Sequence, residues 1–221
     1  MITRTLFTFL LACWFLICSA QQTSTNRTLA YLQLKDMKEG VLVVRLKTND
    51  RSVQAYRNAG RNDIADRIVR DQKNQNIKIV KAFRQYFNFC PVYFIHSRHT
   101  DSLKQGSNRY FLTDSLTVDT SIRKKDGPYF IAEYGTLMAN LRSDEYHYSA
   151  VNKTESSSTA TTTSAILIMD TALNQLREPF PFYQTVYMEN YNKAVDKLNK
   201  GLQRAYFTQV QNAEIRKQLR K

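Results

Sequence analysis

Two short apolar runs with helical sequence between them constrain the fold of this chain more than any other feature. The first run, residues 41–46, follows Gly40 and is rich in β-branched side chains, and the second covers residues 92–95. Short runs of this kind are typical of strands buried on both faces. A strand, a helical crossover and a second strand form a βαβ unit, whose two strands pair in parallel. The sequence therefore predicts a sheet with a parallel core.

The crossover between these runs divides into two helices. Asn49 or Asp50 can cap the first helix, and Gly60 interrupts the helical pattern, so a longer helix is expected from about Asp63. Residues 72–76 leave a polar gap in the middle of the longer helix. The apolar stripe on either side of this gap consists of Ile64, Ile68, Ile79, Val80, Phe83 and Phe87.

The rest of the chain carries further strand patterns and a long helix. Residues 155–164, rich in serine and threonine, indicate an exposed loop, and the apolar spacing from about Asn190 predicts a long helix with a basic, solvated side. The further strand candidates are residues 109–112, 129–134, 165–169 and 184–188. Together these patterns predict an α/β fold with a mixed, partly parallel sheet, a helical βαβ crossover and a long C-terminal helix.

Residues 1–20 predict an export signal. A short polar start leads into residues 6–18, which are almost unbroken apolar sequence, and Ala20 precedes polar sequence. About 13 apolar residues are too few to cross a bilayer as a helix, which needs roughly 20. We therefore expect cleavage after Ala20, a flexible leader over residues 21–28, and a single α/β domain over residues 29–221. No transmembrane span is expected after the signal has been removed.

The three cysteines bear on where the protein works. If cleavage follows Ala20, Cys13 and Cys18 leave with the signal and Cys90 alone remains, so no intramolecular disulfide forms. A domain of this length can bury a sufficient core without a disulfide. This combination favours the bacterial periplasm or envelope. The alternative is a lipoprotein, in which residues 10–13 form the lipidation motif and Cys13 carries the lipid.

The charge of the chain favours anionic partners. The formal net charge is +13, and it becomes +12 without Arg4, because residues 1–20 hold no acid. A protein this basic is attracted to anionic surfaces, but its basic residues lack the aromatic interleaving of a nucleic-acid reader. We expect an envelope protein or an anionic envelope component as partner, and no specific nucleic acid. The candidate polyanion contacts are Arg216, Lys217, Arg220 and Lys221, where the last helix should fray; an ordinary solvated basic surface is the alternative.

His96 and His99 are the main candidates for a chemical site. They lie three residues apart where a predicted strand gives way to a loop, and ligands of α/β sheets tend to bind at the carboxyl ends of the strands. With Asp101 or His147 they could complete a zinc site of two or three imidazoles. The pair lacks the glutamate and the helix of a zincin motif, so loop or surface histidines are the alternative.

Other chemical motifs are weak or missing from the sequence. It contains no glycine-rich phosphate loop and no nucleophile elbow, so no cofactor is expected. Cys90 and His96 resemble a thiol and its base, but they stand about 20 Å apart along a strand, so Cys90 is predicted to be a buried apolar residue. Glu133 could be part of a carboxylate pair. The Phe-Pro-Phe loop at residues 180–182 could expose an aromatic contact surface.

The run Phe87-Asn88-Phe89-Cys90-Pro91-Val92-Tyr93-Phe94 carries a resemblance to known sequences. It follows a basic helix and precedes a polar loop, and it resembles a segment of uncharacterised exported proteins of Bacteroidota-type bacteria. The Ala20-Gln21-Gln22 junction resembles the ends of their signal peptides. The resemblance covers residues 40–100 and implies a location in the cell envelope. It implies no activity, cofactor or catalytic residue.

These observations predict an exported protein that is periplasmic or associated with the outer membrane. We expect it to act by binding or interaction rather than by catalysis. Two alternatives stay open. One is a hydrolase or metal-dependent enzyme with a site near His96 and His99, and the other is a polyanion-binding protein that uses its basic surface.

Overall fold

A computed structural model shows an α/β fold built on one five-stranded mixed sheet. The structure describes residues 27–138, 162–177, 179–211 and 213. The strands are β1 (Val41–Leu46), β2 (Val92–His96), β3 (Tyr129–Met138), β4 (Thr162–Met169) and β5 (Tyr183–Thr185). The helices are α1 (residues 27–39), α2 (Asp50–Asn58), α3 (Asn62–Tyr86), α4 (Thr100–Lys104) and α5 (Tyr191–Tyr206), with a 3-10 turn at Ser97–His99 and a π-helical turn at Phe207–Gln211.

The strands lie in the order β2-β1-β3-β4-β5. β1 pairs in parallel with both β2 and β3, whereas β4 is antiparallel to β3 and β5 is antiparallel to β4. The predicted mixed sheet, the helical crossover and the C-terminal helix are therefore confirmed. Because two antiparallel steps restore the direction, β1, β2, β3 and β5 all end at one edge of the sheet, which we call the carboxyl edge.

Side-chain alternation divides the core between the two faces of the sheet. Leu42, Val44 and Leu46 of β1 point towards α1, α3 and α5, where the main apolar cluster lies. Val41 and Val43 point to the opposite face and pack in a smaller cluster with Leu103 of α4 and with the segment after it. Every apolar side chain of β1 is therefore buried, which explains why this strand reads as a continuous apolar run.

α2 and α3 form the predicted pair of helices, separated by a turn at Gly60, whose φ is +72°. With 25 residues, α3 is about 37 Å long, against about 20 Å for β1. Ala65 is the only buried residue of α3 before Gln72, and this first part of the helix packs on α2. The N-terminal part of α3 therefore extends past the carboxyl edge, and α2 and α3 together form a wall beyond the sheet.

α1 was not predicted from the sequence. Ala30, Leu34 and Met37 recur at helical spacing and are buried in the main cluster. Gly40 joins α1 directly to β1. Its Cα lies so close to the carbonyl oxygen of Pro128 that an added Cβ would collide with it, so glycine is required at this position.

Four predicted boundaries differ from the structure. Residues 27 and 28 of the predicted leader belong to α1, and residues 162–164 of the predicted loop pair with β3. The predicted strand at 109–112 is wrong, because Phe111 and Leu112 form only isolated bridges before the chain turns back. The strand predicted at 184–188 ends at Thr185, because the backbone turns to positive φ at Met188.

Within the described residues, no helix has both the length and the apolar character that a membrane-spanning helix requires.

Candidate functional site

A pocket of about 460 Å³ opens beside the carboxyl ends of β1 and β2. Leu46 and His96 end these strands as register partners, and the chain leaves them towards α2 and towards the 3-10 turn. The overhanging part of the α2–α3 pair forms one wall, and residues 115–117 form another. The lining residues are Lys47, Thr48, Asp50, Val53, Arg57, Val69, Gln72, Lys73, Asn76, His96, Arg98, Ser115, Leu116 and Thr117.

The lining side chains give this pocket a basic character. They include the four cations Lys47, Arg57, Lys73 and Arg98, against the single carboxylate of Asp50. Asp50 already accepts a hydrogen bond of 2.7 Å from the Thr48 hydroxyl and lies 3.8 Å from Arg98. The pocket therefore offers positive charge and hydrogen-bond donors, and its one acid is occupied by its neighbours.

The four cations differ in how far acidic neighbours neutralise them. Arg57 lies 3.6 Å from Asp66, and the Lys47 ammonium lies 3.5 Å from the Glu133 carboxylate. No carboxylate of the described residues lies within ion-pair distance of Lys73. Lys73 is therefore the pocket cation that is most available to an anion from outside the chain.

Glu133 is a buried carboxylate next to the pocket. It lies opposite Arg45 in the β1–β3 register and forms an ion pair with it. The Arg45 Nε donates a hydrogen bond of 2.8 Å to the Thr100 hydroxyl. A buried carboxylate is stable only when it is paired, so we interpret Glu133 as the anchor of Arg45 and Lys47.

His96 carries the most unusual polar atom of the pocket. Its Nδ1 is buried and has no hydrogen-bond partner among the residues that the structure describes. Burial lowers the pKa of His96, and the positive charge of Arg98 and the neighbouring His99 lower it further. Asp50 and a hydrogen bond with the Leu116 backbone act in the opposite direction without reversing the shift. The lowered pKa makes His96 largely neutral at neutral pH.

A polar network fixes the wall of the pocket to the end of β1. The Asn49 side chain donates to Gln72 Oε1 at 2.5 Å, and Gln72 donates to Asn76 Oδ1 at 3.1 Å. Asn76 in turn donates to the main-chain carbonyl of Lys47 at 2.8 Å. Gln72 and Asn76 are buried although they are polar.

The network extends to the last helix, because Gln75 donates a hydrogen bond of 3.0 Å to the Tyr191 hydroxyl. These amides occupy the polar gap that interrupts the apolar stripe of α3 in the sequence. The gap was the one signal in the sequence that could have indicated the pocket wall. The three amides replace apolar packing with hydrogen bonds at this level of the helix.

The predicted metal ligands are only partly described. His99 stacks on Tyr110 with ring centroids 4.1 Å apart, and Asp101 is exposed in α4. Within the described parts of the chain, no three His, Cys, Asp or Glu residues are placed to hold a metal ion. His96, His99 and Asp101 therefore do not form a site by themselves. His147 lies outside the described residues, so a site that includes it stays a prediction.

Cys90 is buried, as predicted. Burial raises the pKa of its thiol to about 12, although the nearby Lys38 acts in the opposite direction. A thiol with this pKa is protonated at neutral pH and is a poor nucleophile. The predicted aromatic contact surface at residues 180–182 is wrong, because Phe180 and Phe182 are buried in the main cluster.

The other candidate residues lie outside the described part of the chain. These are the signal at residues 1–20 with Cys13, and the polyanion contacts Arg216, Lys217, Arg220 and Lys221.

Comparison with protein-family models, with curated proteins and with solved structures found no match to this chain.

Proposed function

We propose that this protein is an exported binding protein whose pocket at the carboxyl ends of β1 and β2 holds a small anionic ligand. The observation that supports this most directly is the buried Nδ1 of His96, a residue that lines a pocket rich in cations, because this atom has no partner in the described part of the chain. Buried polar atoms are almost always hydrogen-bonded, so an unpaired one in a pocket is best explained by a ligand that supplies the missing bond.

The position and the size of the pocket agree with this proposal. In open α/β sheets, ligands bind outside the carboxyl ends of the strands. A volume of about 460 Å³ lies in the range typical of small-molecule sites. Lys73 and Arg98 offer charge-assisted hydrogen bonds to a phosphate or a carboxylate. Val53 and Leu116 provide apolar contacts for the rest of the ligand.

The lining residues favour binding over hydrolysis. They include no cysteine, and the single carboxylate, Asp50, is already engaged by Thr48 and Arg98. A nucleophile needs a general base within hydrogen-bond reach, and no hydrogen bond connects His96 to Ser115 or Thr117 within the described residues. We therefore propose a binding protein of the periplasm or the outer membrane rather than an enzyme.

The proposal can be tested by titrating the purified protein with inorganic phosphate, small phosphate esters and small carboxylates in a calorimeter. Lys73→Ala and His96→Phe should each weaken binding about tenfold or more, because each removes a hydrogen bond that involves a charged group. Lys104→Ala is the matched control, because Lys104 is exposed on α4, which packs on the opposite face of the sheet. The control should bind as the unmodified protein does.

Two results would contradict the proposal. The first is that none of these anions binds to the unmodified protein. Equal binding to the unmodified protein and to Lys73→Ala would contradict the proposal in the same way. The second is stoichiometric zinc in the purified protein that is lost in His99→Ala, which would favour a metal-dependent enzyme near His96 instead.

A further inference from the structure

A strained turn between β5 and α5 presents two large apolar side chains to solvent. Met188 and Glu189 have φ values of 47° and 53°, and the Asn190 N–H closes the turn with a hydrogen bond of 2.9 Å to the Tyr187 carbonyl. Positive φ at both central positions is the signature of a type I′ turn, which normally takes Gly, Asn or Asp. Tyr187 is 75% exposed and Met188 is 83% exposed.

The turn is held firmly on both sides. Val186 is buried before it and Tyr191 is buried after it. Glu189 forms an ion pair of 2.8 Å with Lys78 of α3, and the Asn190 side chain caps α5 by accepting from the Lys193 N–H. Left-handed backbone at non-glycine residues costs stability and persists where the surroundings enforce it, commonly at functional sites. The fold therefore retains a destabilising turn that presents Tyr187 and Met188 to solvent.

A stripe of positive charge begins next to this turn and runs along α5. Its members are Lys193, Lys197, Lys200 and Arg204, and all four are exposed. Their spacing places them within about 60° of one another around the helix axis and along about 16 Å of its length. The opposite side of the helix is buried in the main cluster through Ala194, Val195, Leu198 and Leu202.

Acidic neighbours neutralise little of this stripe. Asp196 forms an ion pair of 2.8 Å with Lys200. Among the residues that the structure describes, no carboxylate lies within ion-pair distance of Lys193, Lys197 or Arg204. The surface therefore combines an apolar tip with a row of cations that have no anionic partner in the described fold.

We propose that this tip and this stripe form a docking surface for an anionic lipid bilayer. A tip of two side chains is far smaller than the roughly 1,600 Å² of a stable protein–protein interface, but it suffices to enter the boundary between headgroups and acyl chains, where tyrosine is accommodated. Lysine and arginine beside such a tip are attracted by anionic headgroups. Nucleic acid would match the stripe and leave the apolar tip without a contact. This surface is independent of the proposed anion pocket.

The test measures cosedimentation of the protein with lipid vesicles. Protein that starts at Gln21 contains every described residue and lacks the apolar residues 6–18, which could bind lipid themselves. We expect binding to phosphatidylcholine vesicles that contain phosphatidylglycerol, and none to vesicles of phosphatidylcholine alone. Binding should weaken steeply between about 0.05 and 0.5 M NaCl, because salt screens exposed charges.

Two double variants test the two parts of the surface. Lys193→Glu with Lys197→Glu should weaken binding about 25-fold or more, because each lysine near an anionic surface contributes roughly a factor of five. Tyr187→Ser with Met188→Gly should weaken it about tenfold or more, because the apolar anchor is lost. Glycine suits the positive φ of residue 188, so this variant should fold, which circular dichroism checks.

Matched controls carry the same kinds of change elsewhere. Lys104→Glu with Arg109→Glu makes the same charge change away from α5. Val118→Ser removes an exposed apolar side chain near β2, the strand that lies farthest from β5 in the sheet. Both controls should bind as the unmodified protein does. The proposal is wrong if either surface variant binds like its control, or if zwitterionic vesicles bind equally well. It is also wrong if heparin or DNA retains the protein and anionic vesicles do not.

Discussion

Individual side chains decide how the pocket responds to pH, and His96 is the most important of them. Its imidazole is buried next to the positive charge of Arg98 and His99, and its Nδ1 lacks a partner among the described residues. Both features make the protonated form unfavourable in the folded, ligand-free protein. The same histidine would gain a partner when an anion binds, so ligand and proton act on one atom.

We predict that the ligand-free protein loses stability as the pH falls through the range of histidine titration. The pKa of His96 is lowered in the folded state, so the unfolded chain, with a pKa near about 6.5, binds a proton first. Stability therefore falls below about pH 6.5 and stops falling once the folded protein is protonated as well. His96→Gln should reduce the drop in melting temperature between about pH 7.5 and pH 5.

His99→Gln is the control for this prediction. The pKa of His99 is lowered in the same direction, again first by burial and then by Arg98, but its ring is less buried than that of His96, although one face stacks on Tyr110. This variant should reduce the drop by less than His96→Gln does. An unchanged drop in His96→Gln would show that other groups cause the acid sensitivity.

At the scale of elements, α3 is attached to the end of β1 by amides, while its C-terminal half packs on the sheet through apolar side chains. The wall that α3 gives to the pocket is attached to the strand through the Asn76 side chain and the Lys47 carbonyl. This connection sets the distance between the helix and the end of the strand, and with it the width of the pocket.

Asn76→Ala should lower the free energy of unfolding by about 1 to 3 kcal/mol, because it removes the side-chain donor of the Lys47 carbonyl and one of the two hydrogen bonds that the Gln72 amide donates. Asn74→Ala is the matched control, since Asn74 is exposed on the same helix. The control should have a neutral or slightly stabilising effect, because alanine favours helix. Urea unfolding measures both variants, and equal effects would show that the amide network contributes nothing.

The secondary-structure elements differ in how well the sequence alone predicts them. β1, β2 and the two crossover helices carry clear local patterns, so they could be predicted from their own residues despite the polar gap in α3. α1 has a helical stripe, but the exposed Leu29 and Leu32 blur it. Residues 109–112 have the composition of a strand, and only contacts with distant residues decide that they form isolated bridges instead.

The pocket could not be predicted in the same way. Its walls come from four separate stretches, residues 47–57, 69–76, 96–98 and 115–117, and no local pattern shows that they meet. His96 was identified because it ends a strand, which is a local property. Lys73 has the sequence context of an ordinary solvated lysine on a helix, and only the fold shows that it lines the same pocket as His96.

For the whole molecule, processing decides which residues the exported protein contains. We predict that exported protein starts at Gln21, because residues 6–18 match a cleaved signal and Ala20 suits the cleavage site. N-terminal sequencing and intact mass of the protein from the exported fraction measure this. A lipid on Cys13 would contradict the prediction, and Cys13→Ser separates the two cases because it blocks lipidation and leaves cleavage after Ala20 possible.

The overhang of α3 beyond the sheet has a consequence for local opening. The part of α3 before Gln72 buries little more than Ala65, and its main partner is α2. Opening of these two segments would leave the sheet and the main cluster intact, so their amide hydrogens should exchange at a lower free energy than those of residues 79–83. A ligand bound between this overhang and His96 would hold the overhang closed. The amide hydrogens of α2 and of the first part of α3 would then exchange more slowly in the ligand-bound protein than in the ligand-free protein.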